Sequence, residues 1–192
     1  MNDFSERFTS IANHTKPPGS DPHTVAETIR KTGLIPESKL PFDDSIKTLE
    51  QYYSPDPLPA YLLSIGQDWL TNYTFKHEFV IGTADDWMDA LQYSPLGVSV
   101  FAWAQSNGLY VRPPGIADNH WVCCYGYVKD QYWKIFDSYD QTHKRLEWNF
   151  GFTFVKRYYV EKKVILPPLP PPVKKSWWQR FLEFLRIIFV WK

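Results

Sequence analysis

Two neighbouring segments hold the residues best suited to chemistry: Asn119-His120-Trp121-Val122-Cys123-Cys124-Tyr125-Gly126-Tyr127 and Tyr132-Trp133-Lys134-Ile135-Phe136-Asp137-Ser138-Tyr139. Each sets one polar group, His120 or Asp137, at the end of an apolar run. A thiol that attacks an amide needs a histidine to take its proton, and that histidine needs a polar neighbour to fix its ring. His120 has the chemistry for the first role and Asp137 for the second. If the segments pair through the polar turn Lys129-Asp130-Gln131, an ideal hairpin puts Asp137 opposite Cys123. That leaves it about three residues, or ~10 Å, short of His120. A bulge, a strand shear or a bend beyond Phe136 is required to close the contact. Spacing alone also fits a histidine capping a strand and an aspartate opening a turn.

The nucleophile is harder to place. The sequence has only two cysteines, Cys123 and Cys124. Adjacent strand residues point to opposite faces, a poor geometry for a disulfide, and only Cys124 shares a face with His120. It lies four residues along the same strand, ~13 Å away, so both thiols are expected in the core. His14, His23, His77 and His143 lack metal-ligand spacing with carboxylates or thiols, and are expected as surface or local structural residues. No metal is therefore expected. Pro17-Pro18-Gly19-Ser20 makes a turn rather than a Gly-rich phosphate loop, and no cofactor is expected.

The elements that must position these groups follow from caps and periodicity. Asp21 as a cap, Pro22 at the first helical position, apolar Val25, Ala26 and Ile29, and Gly33 as a stop predict a helix over 22–32. Gly33-Leu34-Ile35-Pro36-Glu37-Ser38 and Leu40-Pro41-Phe42 read as ordered loop. Thr83, with Asp85 and Asp86 in the first turn and an apolar stripe of Trp87, Met88, Ala90 and Leu91, predicts a second helix ending before Pro95. Segments 97–103, 121–128, 132–137 and 152–160 read as strands, the second half as an antiparallel sheet of hairpins. The order is helices first, sheet second, an α+β class.

At this point the sequence resembles a known family. Asn119-His120 before an apolar strand, Gly126-Tyr127, a short turn, Tyr132-Trp133 and then Asp137-Ser138-Tyr139 are similar to the histidine strand and later Asn-Ser-Trp motif of papain-like cysteine peptidases. Ala90-Leu91-Gln92-Tyr93 through Gly97-Val98-Ser99-Val100 resembles that family's helix and Pro-Val-Ser-Val-like strand, and Gly33 to Phe42 its Tyr-Gly-Leu to Tyr-Pro-Tyr segment. The likeness covers about Val25 to Val160. It implies a papain-like cysteine proteinase fold in incomplete form, with His120 as general base and acid, Asp137 where the family usually has asparagine, and Asn119, Ser138 and Tyr139 in support. Tyr139 stands for a tryptophan that shields the polar contact, so shielding is expected in weaker form. Aspartate orients the ring at least as well as asparagine and favours its charged form, which bears on the pH profile. Pro17 to Ser20 would line a cleft as the family's Gly-rich segment does.

The family places its cysteine, with a glutamine for the oxyanion site, on a helix well before the region resembling Val25. Neither has a counterpart here. The resemblance thus implies a truncated, split or degenerate member, inactive as this chain alone, with an upstream segment or second chain as a possible source of the nucleophile. The implied partner is a peptide or protein substrate. Two other readings stay open: a non-catalytic binding or membrane-associated module on the same fold, and a different Cys-His-Asp enzyme such as an amidase or transglutaminase-like protein.

Over 192 residues, 21 basic side chains balance 21 acidic ones, so no net field draws the protein to nucleic acid. An aromatic content of 18% and 16 prolines point to sheet, stiff loops and aromatic-walled clefts. Two free thiols suggest a reducing compartment, and residues 1–7 show no signal peptide, in keeping with a cytoplasmic or membrane-surface location. The expected organisation is a partial peptidase domain over 1–165, a proline-rich linker over 166–175 and an amphipathic helix over 176–192. Trp177 to Lys192 would span ~22 Å against a ~30 Å hydrocarbon core, so this helix is expected to lie on a membrane surface or in a partner groove rather than cross.

Overall fold

The computed structural model describes residues 3–17 and 19–164. The expected linker and C-terminal helix lie outside the described residues. Helices dominate the first third of the chain. Helix α1 (Glu6–Ala12) starts at Ser5, whose hydroxyl accepts from the Phe8 N–H, and buries Phe8 and Ile11. Sequence reasoning passed over this cap. Helix α2 (Pro22–Thr32) has the expected bounds, with the Asp21 carboxylate accepting from the N–H groups of His23 and Thr24. A short 3-10 turn (Glu37–Lys39), helix α3 (Leu49–Tyr52) and helix α4 (Ala60–Asn72) follow.

These helices share a small core of Phe8, Ile11, Ile35, Leu40 and Leu62. The buried Arg7 guanidinium donates to four carbonyls, those of Pro41, Gln51, Tyr52 and Ser54, so one side chain ties down the proline-rich loops. Helices α2 and α4 meet backbone to backbone. A Cβ at Gly66 would stand 2.1 Å from the Thr32 carbonyl oxygen, and one at Gly33, where φ is 76°, 1.9 Å from that of Gly66. Only glycine allows this approach.

The remainder of the described residues carries one eight-stranded sheet. Its strands are β1 (Tyr73–Phe79), β2 (Leu96–Val100), β3 (Ala104–Ser106), β4 (Leu109–Val111), β5 (His120–Val128), β6 (Tyr132–Asp137), β7 (Thr142–Glu147) and β8 (Val155–Lys162). They lie in the order β1-β8-β2-β5-β6-β7-β4-β3. Helix α5 (Ala84–Leu91) crosses between β1 and β2 from a capping box of Thr83 and Asp86. The larger core, including Val98, Val122, Cys124, Trp133, Ile135 and Leu146, fills one face under α5. The fold is mixed α+β, as expected, with four corrections. The strand expected over 97–103 stops at Val100, because Phe101 to Trp103 turn away before β3. Strand β8 starts three residues later than expected, at Val155. The sheet is not wholly antiparallel, since β4 meets β7 in a parallel bridge, Tyr110 to Leu146. It also reaches back before α5, because β1 pairs along its length with β8.

Candidate active site

The β5–β6 hairpin decides whether His120 and Asp137 can meet. Near the turn the pairing is regular, Val128 with Tyr132 and Gly126 with Lys134. The register then shifts between Cys124 and Gly126, leaving Tyr125 as an extra residue, and resumes with Cys124 opposite Ile135 and Cys123 opposite Phe136. One extra residue does two things. It shortens the gap, and it moves Asp137 from the face of Cys123 to the face of Val122 and His120, because side chains alternate with period two. The bulge required by the sequence spacing is therefore present, and its change of face matters as much as its change of length.

His120 Nε2 lies 2.7 Å from Asp137 Oδ1. Both side chains are buried, Asp137 fully. The same Oδ1 accepts from the Tyr139 N–H at 3.1 Å, while Oδ2 accepts from Trp103 Nε1 at 2.8 Å and from Lys144 Nζ at 2.7 Å. Four donors thus meet the four lone-pair sites of one carboxylate. Burial alone would raise the pKa of Asp137, yet the bonds from Lys144, His120, the Tyr139 amide and Trp103 outweigh it and hold the carboxyl well below its usual range. An ionised Asp137 places the imidazole proton on Nε2. Nδ1 is left as the free nitrogen, with no hydrogen-bond partner among the described residues.

Tyr139 lies over the His120 ring, centroids 3.7 Å apart and planes at 25°, although the residue is itself 72% exposed. Trp103 meets the same ring edge-on at 5.9 Å. Asn119 acts from outside the pair: its N–H bonds to the Val100 carbonyl and its Oδ1 accepts from the Ala102 N–H, which pins the start of β5 to β2. Ser138 is exposed and has no bond to either member of the pair. It does not support the site.

Lys144 and Trp103 were not anticipated. Lys144 is buried on β7 and bonds to Asp137, to both oxygens of Asp140 and to Thr142 Oγ1. Desolvation opposes its charge, and the two carboxylates overcome that, so its ammonium is held above the usual lysine range. The available signal was alternation: in Thr142-His143-Lys144-Arg145-Leu146-Glu147, Lys144 shares a face with the core residue Leu146. Trp103 had no such signal, because it leaves the end of β2 in an irregular stretch.

His120 opens onto a cavity of about 430 Å³ that is also lined by Ser20, Asp21 and His23 from the start of α2, by Phe79 and Phe154, and by Asp118. Gly19 and Ser20 line it too, where the loose likeness to a Gly-rich cleft segment put them. Asp118 is not free to bind a cation, because Arg112 pairs with its Oδ1 and Ser99 Oγ donates to its Oδ2 at 2.6 Å. Neither cysteine reaches the imidazole. Cys124 is 1% exposed in the core, and burial pushes its thiol up to about 12. Cys123 corrects an expectation: it is exposed on the opposite face, because beyond the bulge Val122 and Cys124 are the residues of β5 that turn into the core. Desolvation still pushes its thiol above the usual range. His77 is a structural residue, its side chain 6% exposed and paired with Glu27.

No helix among the described residues is long and apolar enough to cross a membrane. No protein-family model matches the sequence, and no curated protein matches it. Among solved structures, the chain is similar to the bromelain protease from Ananas comosus in complex with the E64 inhibitor. The TM-score is 0.51 at 17% identity, over 85% of this chain and 79% of that one. At that identity the likeness is one of fold.

Proposed function

We propose that this chain carries the acid–base side of a papain-like cysteine peptidase site, in which His120 takes and returns the proton and Asp137 fixes its ring. The observation that carries this reading is the 2.7 Å bond between His120 Nε2 and Asp137 Oδ1, which leaves Nδ1 free at the edge of a cavity. Such an imidazole accepts a proton from a thiol brought to Nδ1 and hands it to the leaving amine. The substrate class is a peptide or protein. The bromelain-like fold supports the same reading. Because Cys123 and Cys124 are the only thiols and both point elsewhere, this chain alone binds peptide without cleaving it.

Two measurements test this, the first in the Cys123→Ser protein, which removes the exposed thiol from competition. A peptidyl chloromethyl ketone alkylates His120 at Nδ1 faster than it alkylates free N-acetylhistidine, and excess unreactive peptide slows the reaction. Fluorogenic peptides show no hydrolysis sensitive to iodoacetamide in the unsubstituted chain. Labelling no faster than free imidazole removes the base role of His120. Iodoacetamide-sensitive turnover means that a cysteine of this chain reaches the site after all. A purely non-catalytic binding module is favoured by the misplaced thiols, and it predicts peptide protection of the cavity without accelerated labelling of His120.

A further inference from the structure

We propose that Lys144 is a positioning residue for His120: it neutralises Asp137, so that the carboxylate and ammonium together act on the imidazole as one uncharged hydrogen-bond acceptor. The proposal rests on the reading of His120 as the base. An aspartate beside an imidazole would by itself favour the imidazolium, and an imidazolium cannot accept a proton from a thiol. Asparagine, the residue that the resemblance implies at this position, does not pull in that direction. The structure holds the means to make aspartate behave alike. Lys144 Nζ lies 2.7 Å from Asp137 Oδ2, while His120 Nε2 bonds to the other oxygen, Oδ1. The side chains of Lys144 and Asp137 are 3% and 0% exposed, so solvent screening does not weaken the pair.

The groups around this cluster leave Lys144 as its compensating cation. From the β6–β7 turn, Asp140 bonds to Lys144 Nζ on its far side and is half exposed. From β4, Tyr110 faces the ammonium with its ring at 5.8 Å, and Trp103 does so at 5.3 Å. Next to His120, Asp118 is already matched by Arg112. Across the cavity stand Asp21 and His23 of α2. None of these places a second positive charge on Asp137.

The test follows the His120 ring by NMR titration, which needs no turnover. Lys144→Met leaves Asp137 uncompensated, and the His120 midpoint rises by about one pH unit or more. Lys144→Arg keeps the cation and holds the midpoint within a few tenths of a unit of the parent. Asp137→Asn with Lys144→Met exchanges the ion pair for an amide and an apolar stem, and the midpoint returns to that of the parent. If Lys144→Met does not fold, Asp137→Asn alone carries the comparison: the remaining ammonium lowers the midpoint, and the double variant restores it. A midpoint that is the same in parent, single and double variants overturns the proposal. It does so whatever the chloromethyl ketone reports, and slow labelling with the predicted titrations would sink the peptidase reading while leaving the electrostatic one intact.

Discussion

Two buried lysines on one sheet live by different means. Lys144 on β7 meets two carboxylates, a hydroxyl and two aromatic rings. Lys156 on β8 is fully buried, yet among the described residues its Nζ has one hydrogen-bond partner, His23 Nδ1 at 3.0 Å, and the Phe79 ring at 4.1 Å. Desolvation pulls Lys156 below the usual lysine range against the more distant pull of Asp21 and Glu27, whereas Lys144 is held above it. Burial opposes the charge in both places. What differs is whether a counter-charge was folded in with the ammonium, and that separates a fixed charge in the site from one that the fold merely tolerates.

Removing each ammonium gives the largest contrast. Lys144→Met strands a buried carboxylate and is expected to lower stability by about 3 to 5 kcal/mol, the usual cost of breaking a buried pair from one side. Lys156→Met swaps a poorly paired charge for an apolar chain of similar volume, and is expected within about 1 kcal/mol of the parent or above it. Urea unfolding of the two variants measures this. Equal losses would erase the distinction between the clusters.

Alkaline pH gives a smaller effect with opposite signs. A lysine raised in the folded state adds stability that is complete below its unfolded value, about 10.4, and is lost as pH climbs through the higher folded value. That is Lys144. A lysine lowered in the folded state is the reverse: between its folded value and about 10.4 the unfolded chain binds more protons, so stability increases with pH. That is Lys156. The deficit of Lys144→Met should therefore stay level up to about pH 10 and shrink only above it. The advantage of Lys156→Met should be largest near neutral pH and fade towards pH 10. Unfolding curves at intervals from pH 7 to 11 distinguish them, and parallel profiles would mean that neither shift has the stated cause.

Much of this site was legible in the sequence, because its parts follow local rules. His120 and Asp137 end apolar strands, and the caps Asp21 and Thr83 mark α2 and α5. The bulge at Tyr125 was legible only as a requirement, since Cys-Tyr-Gly contains nothing that forces one residue out of register. Lys144 was hidden by its type: a lysine in Thr-His-Lys-Arg reads as solvated, and only a carboxylate from another strand makes its burial tolerable. Helix α4 and strand β1 were missed for a related reason. In α4 Leu62 and Gly66 are the buried residues, and in β1 only Phe75 is, so neither shows a strong periodic stripe. Tertiary packing supplies what the pattern lacks.

The smallest expected effect concerns the aromatic covers of the two clusters. Among the described residues Phe79 is one of two partners of Lys156, so that ammonium depends on its ring. Tyr139 covers His120 differently. Its ring stacks at 3.7 Å but is largely exposed, and its backbone N–H, which survives any side-chain change, is what bonds to Asp137. Tyr139→Ala should therefore cost about 0.5 to 1.5 kcal/mol, the worth of an aromatic pair. The His120–Asp137 bond should stay in place, because Trp103 and Lys144 still hold the carboxylate. What should change is water access: the His120 Nε2 proton, followed by NMR, exchanges several-fold faster once the exposed lid is gone. An unchanged exchange rate would show that Trp103, edge-on at 5.9 Å, already provides the shielding. A stability loss as large as that of Lys144→Met would instead make the stack, rather than the ion pair, the main support of the ring.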